Sequence, residues 1–316
     1  MRIVVVTGCL GFIGSHVALK CLQRGWRVLG IDKCTYAANN DFLAHLEGYE
    51  NFDFIKEDIC DLRSIPDCDY IINTAAETHV GNSIIEANDF IHTNVEGVKN
   101  LLDLIRRKPD NVCEKPILFH FSTDEVYGDI ESGAHIETDI LKPSNPYSAS
   151  KASSDMLIEA WARTYGIDYV LLRPTNNYGI RQHPEKLIPL SIKLLKRGKK
   201  IRLHDKGEPF RNWLHAADTA NAVMAIIESG ITNEIFNVAG GFEQKNKQTV
   251  KSIVECYFKE SVDWQDYVDL GHTRPGQDVR YSLDDTKLRS LGWKPVKVFD
   301  QEIEKIVEYY KINFKW

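Results

Sequence analysis

The chain has 316 residues, 43% of them hydrophobic, which is enough to bury one large core or two modest ones. Its net charge of -6 and its isoelectric point near 6.0 argue against a nucleic-acid-binding surface. Seven widely spread cysteines include no Cys-x-x-Cys pair, which indicates reduced thiols and a cytoplasmic protein. We find no transmembrane run, no signal peptide and no zinc-ligand spacing among the histidines, so we expect no membrane, nucleic acid or metal partner.

The first predicted element is a strand followed by a glycine-rich loop and a helix. Residues 3–6 form a β-branched run, and TGCLGFIG at 7–14 leads into an apolar pattern with helical spacing. Glycines in such a loop permit a tight turn, and the start of the helix offers free N–H groups to a pyrophosphate. The arrangement is typical of a dinucleotide-binding site.

Asp32 directly follows the next predicted strand, residues 27–31, and lies 18 residues beyond Gly14. A carboxylate at that position accepts hydrogen bonds from the ribose hydroxyls of NAD and repels the 2'-phosphate of NADP. Lys33 would soften this repulsion. We therefore predict NAD as the cofactor and keep NADP as the alternative.

Strands and helices alternate through the rest of the first half. We predict a helix from about residue 84 to 107, with a break near Asn88 or Asn94. Regular alternation of this kind predicts an α/β fold with a Rossmann-type, doubly wound parallel sheet. The further predicted strands are 52–56, 70–73, 117–121, 169–172 and 235–238.

Residues 122–128 are the polar exit of a predicted strand, where ligands bind in open parallel sheets. Asp124 and Glu125 are consecutive, and at a strand-to-helix corner both can face one substrate. If only one of them keeps its proton, the pair can remove a carbon-bound hydrogen and protonate a departing hydroxyl. The alternative is a helix N-terminus capped by Ser122 or Thr123, whose first turn favours both carboxylates.

Tyr147 and Lys151 form a second candidate pair. They follow Pro143 and Pro146, so the tyrosine falls in the first turn of a predicted helix and the lysine lies one turn later on the same face. A nearby ammonium favours tyrosinate, which predicts a lowered phenol pKa and a usable base for a sugar hydroxyl.

The chain resembles the extended short-chain dehydrogenase/reductase family through TGCLGFIG, STDEVYG at Ser122 and YSASK at Tyr147. Within that family it is similar to the nucleotide-diphosphate-hexose 4,6-dehydratases, also through DKCTYAANN, PTNNYG, PEKLIP and TRPGQDVRY. The resemblance covers nearly the whole chain. Its most specific part is Asp124-Glu125, because the related 4-epimerases need no carboxylate pair.

The resemblance implies a reaction. Tyr147 would remove the C4 hydroxyl proton with Thr123 holding that oxygen, while hydride passes from C4 to NAD. Glu125 would then remove the C5 hydrogen, Asp124 would protonate the leaving C6 hydroxyl, and the hydride would return to C6. The substrate would be dTDP-glucose, UDP-glucose or UDP-N-acetylglucosamine, and the product a 4-keto-6-deoxyhexose nucleotide. The alternatives are a 4-epimerase and a non-catalytic NAD-binding regulator.

Sequence patterns and the resemblance together assign the site. The expected catalytic residues are Thr123, Asp124, Glu125, Tyr147 and Lys151. The expected cofactor-binding residues are Gly8, Gly11, Phe12, Ile13, Gly14, Asp32, Lys33, Thr35, Asp58, Ile59, Ala75, Ala76, Tyr147 and Lys151. The expected substrate-binding residues are Thr78, His79, Asn82, Asn177, Lys186, Leu187, Arg202, His204, Arg211 and Arg280, with Arg274 a weaker candidate.

The second half is expected to interleave two domains. We expect an NAD-binding domain of residues 1–173 with about 210–238, and a smaller nucleotide-sugar-binding domain of about 174–209 with 239–316. Smaller features are predicted as well: a loop at 173–179, a basic helix at 185–196 that is either a solvated surface or a wall of the diphosphate site, and a helix at 298–310 capped by Asp300.

The resemblance also implies a homodimer. Its interface would form through helices near 95–107 and 148–165. The apolar positions of these helices equally fit a core that faces the sheet, so the sequence leaves both arrangements open.

Two positions depart from the dehydratase pattern. Gly81-Asn82 stands where an Asp-Arg pair is usual, and Arg202-Leu203-His204 replaces a Pro-x-Tyr that helps to hold the base. These changes are either neutral, or they admit a larger C2 substituent and a UDP-sugar. The same altered pocket would also allow reprotonation of C5 from the opposite face, giving a 5-epimerised product.

Overall fold

The structure is a computed structural model that describes residues 1–109, 114–273 and 278–313. Its strands are β1 (Ile3–Thr7), β2 (Arg27–Asp32), β3 (Phe52–Lys56), β4 (Tyr70–Asn73), β5 (Ile117–Phe121), β6 (Tyr169–Pro174), β7 (Asn176–Tyr178), β8 (Ile201–His204), β9 (Phe210–His215), β10 (Glu234–Val238), β11 (Phe242–Lys245) and β12 (Val268–His272). Its α-helices are α1 (Phe12–Gln23), α2 (Asn40–Glu47), α3 (Val80–Ile85), α4 (Asn88–Ile91), α5 (Gly97–Arg106), α6 (Pro146–Tyr165), α7 (Leu187–Lys196), α8 (Ala216–Ser229), α9 (Asn246–Phe258), α10 (Thr286–Arg289) and α11 (Phe299–Ile312).

Seven strands form one parallel sheet in the order β3-β2-β1-β4-β5-β6-β10. The order reverses between β1 and β4, which places the ligand-binding crevice at the carboxyl ends of these two strands. Helices α1 and α8 cover one face of the sheet, and α5 and α6 cover the other. The predicted α/β class and the parallel Rossmann-type sheet are confirmed.

The helix predicted from about 84 to 107 consists of several pieces. Helix α3 ends at Ile85, α4 begins at Asn88, and a π-helical turn at His92–Glu96 joins α4 to α5. Asn94 lies in that turn and is fully buried, and two hydrogen bonds with the backbone of Glu77, at 2.9 and 3.0 Å, satisfy its side-chain amide. The predicted break at the asparagines is confirmed, whereas the predicted start near residue 84 is wrong.

The predicted loop at 173–179 is wrong in part. Strand β6 continues to Pro174, and Asn176–Tyr178 form β7, which pairs in parallel with β9 in a second sheet of order β11-β9-β7. Three residues are too few to show a strand period, and their partner strand lies more than 30 residues later in the chain. A third, two-stranded sheet joins β8 to β12.

Asp300 does not cap α11, so that prediction is wrong. The N-cap is Val298, which makes no side-chain hydrogen bond, and Asp300 lies inside the first turn. A carboxylate there still interacts favourably with the positive end of the helix dipole.

The predicted division into two domains stays a prediction, but two segments pack differently from it. Strand β9 belongs to the second sheet, and Trp213 within it packs in the core formed by α7, α9 and α11. In contrast, Leu288 and Trp293 pack in the core beneath the large sheet. The core between α7, α9 and α11 therefore includes β9, and residues near α10 pack in the core beneath the large sheet.

Candidate functional site

The glycine loop between β1 and α1 makes a cradle in which side chains do not fit. Gly8 has a φ of +70°, and a Cβ atom there would lie 2.6 Å from the backbone nitrogen of Ala75. A Cβ atom at Gly14 would overlap the carbonyl oxygen of Gly8. Helix α1 begins after Gly11 with no side-chain cap, so its first N–H groups remain available to an anion. The loop therefore fits a dinucleotide pyrophosphate.

Asp32 lies at the end of β2 and is 8% exposed. Its carboxylate accepts hydrogen bonds from the backbone N–H groups of Leu10 at 3.0 Å and Cys34 at 2.8 Å, and burial raises its pKa. These two bonds hold the carboxylate beside the glycine loop, where it can accept ribose hydroxyls. The geometry fits the role predicted for Asp32.

Lys33 is engaged by groups other than a cofactor phosphate. Its ammonium lies 2.9 Å from the hydroxyl of Thr93, 3.3 Å from the carboxylate of Asp58 and 3.6 Å from that of Glu77. Two carboxylates therefore offset its charge. This pairing weakens the case for NADP, because Lys33 has little positive charge left to counter the repulsion by Asp32.

The residues predicted to bind the cofactor gather along one continuous cleft. Lys151 is 2% exposed and does not line the cleft; it lies behind it. The predicted residues that do line the cleft are Gly8, Gly11, Phe12, Ile13, Gly14, Asp32, Lys33, Thr35, Asp58, Ile59, Ala75, Ala76 and Tyr147. Together with the cradle and the Asp32 carboxylate, this lining accommodates NAD.

The carboxylate pair lies where β5 leaves the sheet. Thr123 is the N-cap of a short 3-10 turn at Asp124–Tyr127, and its hydroxyl accepts a hydrogen bond from the N–H of Glu125 at 3.4 Å. The same hydroxyl donates to Asp124 at 3.1 Å. Both interpretations of this segment therefore hold: the residues start a helical turn, and the turn aims two carboxylates into the cleft.

The surroundings of Asp124 and Glu125 favour different protonation states for the two side chains. Burial, followed by the charge of Glu125, raises the pKa of Asp124 to about 7. Burial also raises the pKa of Glu125, but the Arg211 guanidinium and a hydrogen bond from Asn145 at 3.2 Å oppose that increase. Asp124 is therefore the group that keeps a proton near neutral pH, and Glu125 is the carboxylate that can accept one.

Tyr147 lies in the first turn of α6, as predicted, because Asn145 caps the helix in a capping box with Ser148 and Pro146 starts it. Its backbone N–H donates to the hydroxyl of Ser83 at 3.2 Å. Burial, then the charge of Glu125, raises the pKa of the phenol, while a hydrogen bond with Thr123 lowers it. The phenol and the carboxylates thus share one pocket.

The structure does not show the predicted lowering of the Tyr147 pKa by Lys151. The ammonium of Lys151 instead lies 3.0 Å from Nε2 of His120, a histidine with no exposed surface. Burial lowers the pKa of Lys151 to about 8, and Asp155 opposes that change. Sequence spacing placed Tyr147 and Lys151 on one face of the helix but gave no indication of His120.

Most of the residues predicted to bind the substrate line a groove that continues from the cofactor cleft. Asn82 and Arg280 do not. Asn82 lies in α3, and Arg280 forms a double hydrogen bond with Glu243 at 2.6 and 3.0 Å. In this structure Arg280 therefore pairs with Glu243 and does not line the groove, and its role at the diphosphate stays a prediction. Arg274 lies outside the described residues. The predicted residues that line the groove are Thr78, His79, Asn177, Lys186, Leu187, Arg202, His204 and Arg211.

Arg211 is the cation best placed for a diphosphate. It is buried, its guanidinium carbon lies 5.0 Å from the ring centre of Tyr281, and it donates to the backbone oxygen of Asp278 at 3.3 Å. Neither contact is with a carboxylate, so the guanidinium can also face phosphate oxygens in the groove.

Two contacts cross the mouth of the groove. The hydroxyl of Tyr36 donates to Glu185 at 3.0 Å, and the ammonium of Lys186 donates to the backbone oxygen of Thr78 at 3.0 Å. Each joins a loop of the large sheet to the segment before α7. The basic helix predicted at 185–196 begins only at Leu187, and its first turn forms a wall of the groove.

Sequence analysis missed several residues of the site. Asn145, Ser83 and Tyr281 contact or face the carboxylates and Tyr147. The dipeptide Asn145-Pro146 was a recognisable helix start, and it could have identified Asn145. Tyr281 is the last residue of TRPGQDVRY, a segment of the family resemblance that could have identified it. Ser83 carries no such signal, since it reaches the site only through the fold.

One cluster brings together groups that metals favour. Donor atoms of Asp58, Cys60 and His92 lie within 4.8 Å of one another. The ammonium of Lys33 already lies 3.3 Å from Asp58, and burial raises the pKa of the Cys60 thiol to about 12. Both features disfavour a bound cation at this cluster. Within the described ranges, no helix has the length and apolar character needed to cross a bilayer.

The fold and the site define an NAD-binding enzyme of the extended short-chain dehydrogenase/reductase type. Residues 5–306 match the sequence model of the family described as GDP-mannose 4,6 dehydratase, and the chain belongs to that family. A probable dTDP-glucose 4,6-dehydratase of Sinorhizobium fredii is 41% identical to it over 100% of this chain and 94% of its own length. The dTDP-glucose 4,6-dehydratase of Escherichia coli K12 is 38% identical over 99% of this chain and 94% of its own length.

The fold is also shared with solved structures. The dTDP-glucose 4,6-dehydratase of Streptomyces venezuelae, crystallised with NAD, superposes with a TM-score of 0.91 at 37% identity over 99% of this chain and 98% of that one. A UDP-glucuronic acid 4-epimerase of Bacillus cereus superposes with a TM-score of 0.90 at 25% identity over 98% and 99% of the two chains. These matches confirm the predicted family, the predicted dehydratase class of lyase and the NAD cofactor.

Proposed function

We propose that the protein converts dTDP-glucose into dTDP-4-keto-6-deoxyglucose. The observation that supports this most directly is the pair of buried Asp124 and partly buried Glu125 beside Tyr147 in a cleft that fits NAD. The dehydratase relatives reach 41% identity, whereas the epimerase structure with the similar fold is 25% identical. Fold alone does not separate the two activities, but the carboxylate pair does.

The first step takes place at the C4 hydroxyl of the sugar. Thr123 hydrogen-bonds the Tyr147 phenol, so both can face one substrate oxygen. Tyr147 must act as the tyrosinate to remove the hydroxyl proton, while Thr123 orients the oxygen. Lys151, one turn later on α6, is the cation that would favour this ionised form. NAD supplies the hydride acceptor for this oxidation and the hydride donor for the later reduction at C6.

The second step breaks the bond between C6 and its oxygen. The C4 ketone acidifies the C5 hydrogen, which Glu125 removes as a proton. Asp124 keeps its own proton near neutral pH because its pKa is raised to about 7, so it can protonate the departing hydroxyl. The opposite roles follow from the environments, since Asn145 and Arg211 favour the ionised form of Glu125.

Sugar nucleotides with another base or another C2 substituent are the alternative substrates. Gly81 lines the groove, so the space next to the hexose is wider there than the expected Asp-Arg pair would leave. Arg202 and His204 line the groove from β8, where a base would be held. These positions support UDP-glucose or UDP-N-acetylglucosamine as second candidates, and a wider pocket would also allow C5 epimerisation.

Product analysis tests the activity and its rivals together. The purified protein is incubated separately with dTDP-glucose, UDP-glucose and UDP-N-acetylglucosamine, and the products are examined by mass spectrometry. Loss of one water from dTDP-glucose is expected; a product of unchanged mass with inverted C4 would identify an epimerase, and no reaction with any of the three would leave a non-catalytic binder. A higher kcat/KM for UDP-N-acetylglucosamine would overturn the choice of dTDP-glucose, and proton couplings of the keto sugar would report on C5.

A matched pair of variants tests the roles of the residues. Glu125→Gln should block water loss but still allow oxidation at C4, so reduced nicotinamide should accumulate. Tyr147→Phe should block both steps. Normal turnover by Glu125→Gln, or its failure to reduce the nicotinamide, would contradict the role given to Glu125.

We also propose a homodimer in the cytoplasm. Met156 on helix α6 is exposed at 59%, which suits a helix-to-helix contact, whereas Trp161 on the same helix packs against the core and donates to Asp103 of α5 at 3.3 Å. The cysteines that the structure describes form no disulfide, as expected in a reducing compartment. Sedimentation of the wild type against Met156→Lys would test the dimer, since a charge at the centre of such an interface should favour monomers.

A further inference from the structure

A row of buried polar residues crosses the large sheet beneath the cofactor cleft. Thr7, Asn73 and His120 lie opposite one another on the adjacent strands β1, β4 and β5, and all three have no exposed surface. The hydroxyl of Thr7 lies 2.6 Å from Oδ1 of Asn73, and Nδ2 of Asn73 lies 2.9 Å from Nδ1 of His120. Interior positions of a parallel sheet are ordinarily apolar, so such a row needs an explanation.

The row ends at Lys151. Its ammonium lies 3.0 Å from Nε2 of His120, and it is 2% exposed. His120 therefore links a residue of the proposed reaction to Thr7, the residue that precedes the glycine loop. His120 does not line the groove or the cofactor cleft, so it acts only through Lys151.

We propose that His120 is a positioning residue for the proposed reaction: anchored by Asn73 and Thr7, it holds the Lys151 side chain in place and exchanges hydrogen-bond roles with it when Lys151 gains or loses a proton. The proposal rests on the proposed function for its kinetic consequences. The structural part, that the two residues share hydrogen-bond roles, is independent of the substrate.

Counting donors and acceptors supports this exchange. If Thr7 donates to Oδ1 of Asn73, then Nδ2 of Asn73 donates to Nδ1 of His120, and the neutral ring carries its proton on Nε2. That Nε2–H can donate to Lys151 only when Lys151 is a free amine. When Lys151 is an ammonium, Nε2 must accept instead, so the ring proton lies on Nδ1 and the Asn73 amide is reversed. Both arrangements satisfy the contact between His120 and Lys151.

The groups around Lys151 allow it to lose its proton within an accessible pH range. Burial lowers the pKa of Lys151 to about 8, and burial with the Lys151 charge keeps His120 neutral by lowering its pKa well below the ordinary value. The other charged or titratable groups around Lys151 are Asp155 and Tyr147, each one turn away on its own helix, while Arg173 on β6 acts on Asp155. Arg173 pairs with Asp155 at 3.0 Å, which leaves His120 as the direct partner of Lys151.

A series of substitutions separates positioning from a structural role. His120→Gln keeps an amide near the position of Nε2, His120→Asn keeps a polar group only near Nδ1, and His120→Phe keeps the ring shape alone. The step to follow is nicotinamide reduction by saturating sugar nucleotide in the Glu125→Gln background, since it does not depend on the acid role of Asp124. His120→Phe and His120→Asn should slow this step by about 10- to 100-fold with little change in the half-saturating concentration. His120→Gln should restore most of the rate.

The pH dependence provides a second readout. A hydrogen bond to the ammonium raises the pKa of Lys151, so its loss in His120→Phe should move the alkaline limit of this step down by roughly half to one pH unit. Equal rates, equal pH profiles or equal losses in all three variants would overturn the proposal, provided that the Glu125→Gln parent reduces its nicotinamide. If the parent does not react, the proposed function fails, and the structural part is decided by the next measurement.

Nitrogen NMR of the histidine-labelled holoprotein decides the structural part without any substrate. The His120 signals are assigned by their loss in His120→Gln. They should show a ring that stays neutral and changes tautomer with a midpoint near pH 8. Lys151→Met should abolish this change of tautomer. The proposal would be overturned if the ring became an imidazolium between about pH 5 and pH 7. It would also be overturned if the change of tautomer with pH were the same in Lys151→Met as in the wild type.

Discussion

Replacing Asp124 with asparagine should stabilise the folded protein while it removes activity. The asparagine keeps an oxygen that can accept the hydrogen bond from Thr123, so the local geometry has no reason to change. It can no longer donate a proton to the leaving hydroxyl, and kcat should fall by about 100- to 10,000-fold. It also removes a carboxyl group that is costly to ionise where it is buried.

The size of the stabilisation follows from the raised pKa of Asp124. A carboxyl group whose pKa rises from 3.8 to about 7 on folding destabilises the folded state progressively as the pH rises from 3.8 to 7. Below that range both states are protonated, and above it the cost is constant. At about 1.4 kcal/mol for each pH unit, the asparagine variant should gain about 2 kcal/mol at pH 5 and about 4 kcal/mol at pH 8.

Denaturant unfolding at pH 5 and pH 8 measures this gain, using enzyme with the same nicotinamide content in both samples. Asp53→Asn is the matched control, because Asp53 is exposed and forms a surface ion pair with Arg27 at 3.0 Å. The control should change the free energy of unfolding by less than about 1 kcal/mol at either pH. A gain from Asp124→Asn that is the same at pH 5 and pH 8, or a loss at both, would refute the reasoning.

Three further substitutions test the cofactor cleft. Asp32→Ala should weaken NAD binding and narrow its preference over NADP, since the carboxylate accepts ribose hydrogen bonds and repels a phosphate; an unchanged NAD-to-NADP affinity ratio in titration calorimetry would contradict this. Gly14→Ala should lower the free energy of unfolding by about 1 to 3 kcal/mol and reduce bound NAD, because the added Cβ overlaps the Gly8 carbonyl; a purified variant with full NAD content and wild-type stability would refute it. Tyr36→Phe should speed NAD release in a dilution assay and change stability by less than about 1 kcal/mol, because it removes one exposed bond across the groove; an unchanged release rate would rule out this closing role.

The sequence by itself determined the elements of the large sheet and the chemistry of the chain segments. Strands 52–56, 70–73 and 117–121 were predicted with the bounds that the structure shows, because short β-branched and apolar runs end at polar or glycine-rich exits. Local sequence signals also predicted the glycine loop, the spacing to Asp32 and the start of α6. Each of these features depends on residues within a few positions, or on a fixed spacing along one element.

Only the tertiary structure decided how charged groups are paired and buried. Arg211 and Arg280 looked alike in the sequence, yet Arg211 faces the groove and Arg280 pairs with Glu243. Lys151 was assigned to Tyr147 by spacing, but its close partner is His120 from a different element. Such partners are set by strand order and by helix packing, which bring together residues that are distant along the chain.

The same reason explains the protonation states. Adjacent carboxylates such as Asp124 and Glu125 are indistinguishable in the sequence, because the free energy of ionising each depends on its burial and on the charges around it. In the folded protein Asp124 is buried at 2% exposure, whereas Asn145 and Arg211 approach Glu125. The residues by themselves therefore determined that the site contains an acid and a base, and the resemblance implied which is which. Only the tertiary structure supplies the physical reason, because burial and neighbouring charges set the two pKa values apart.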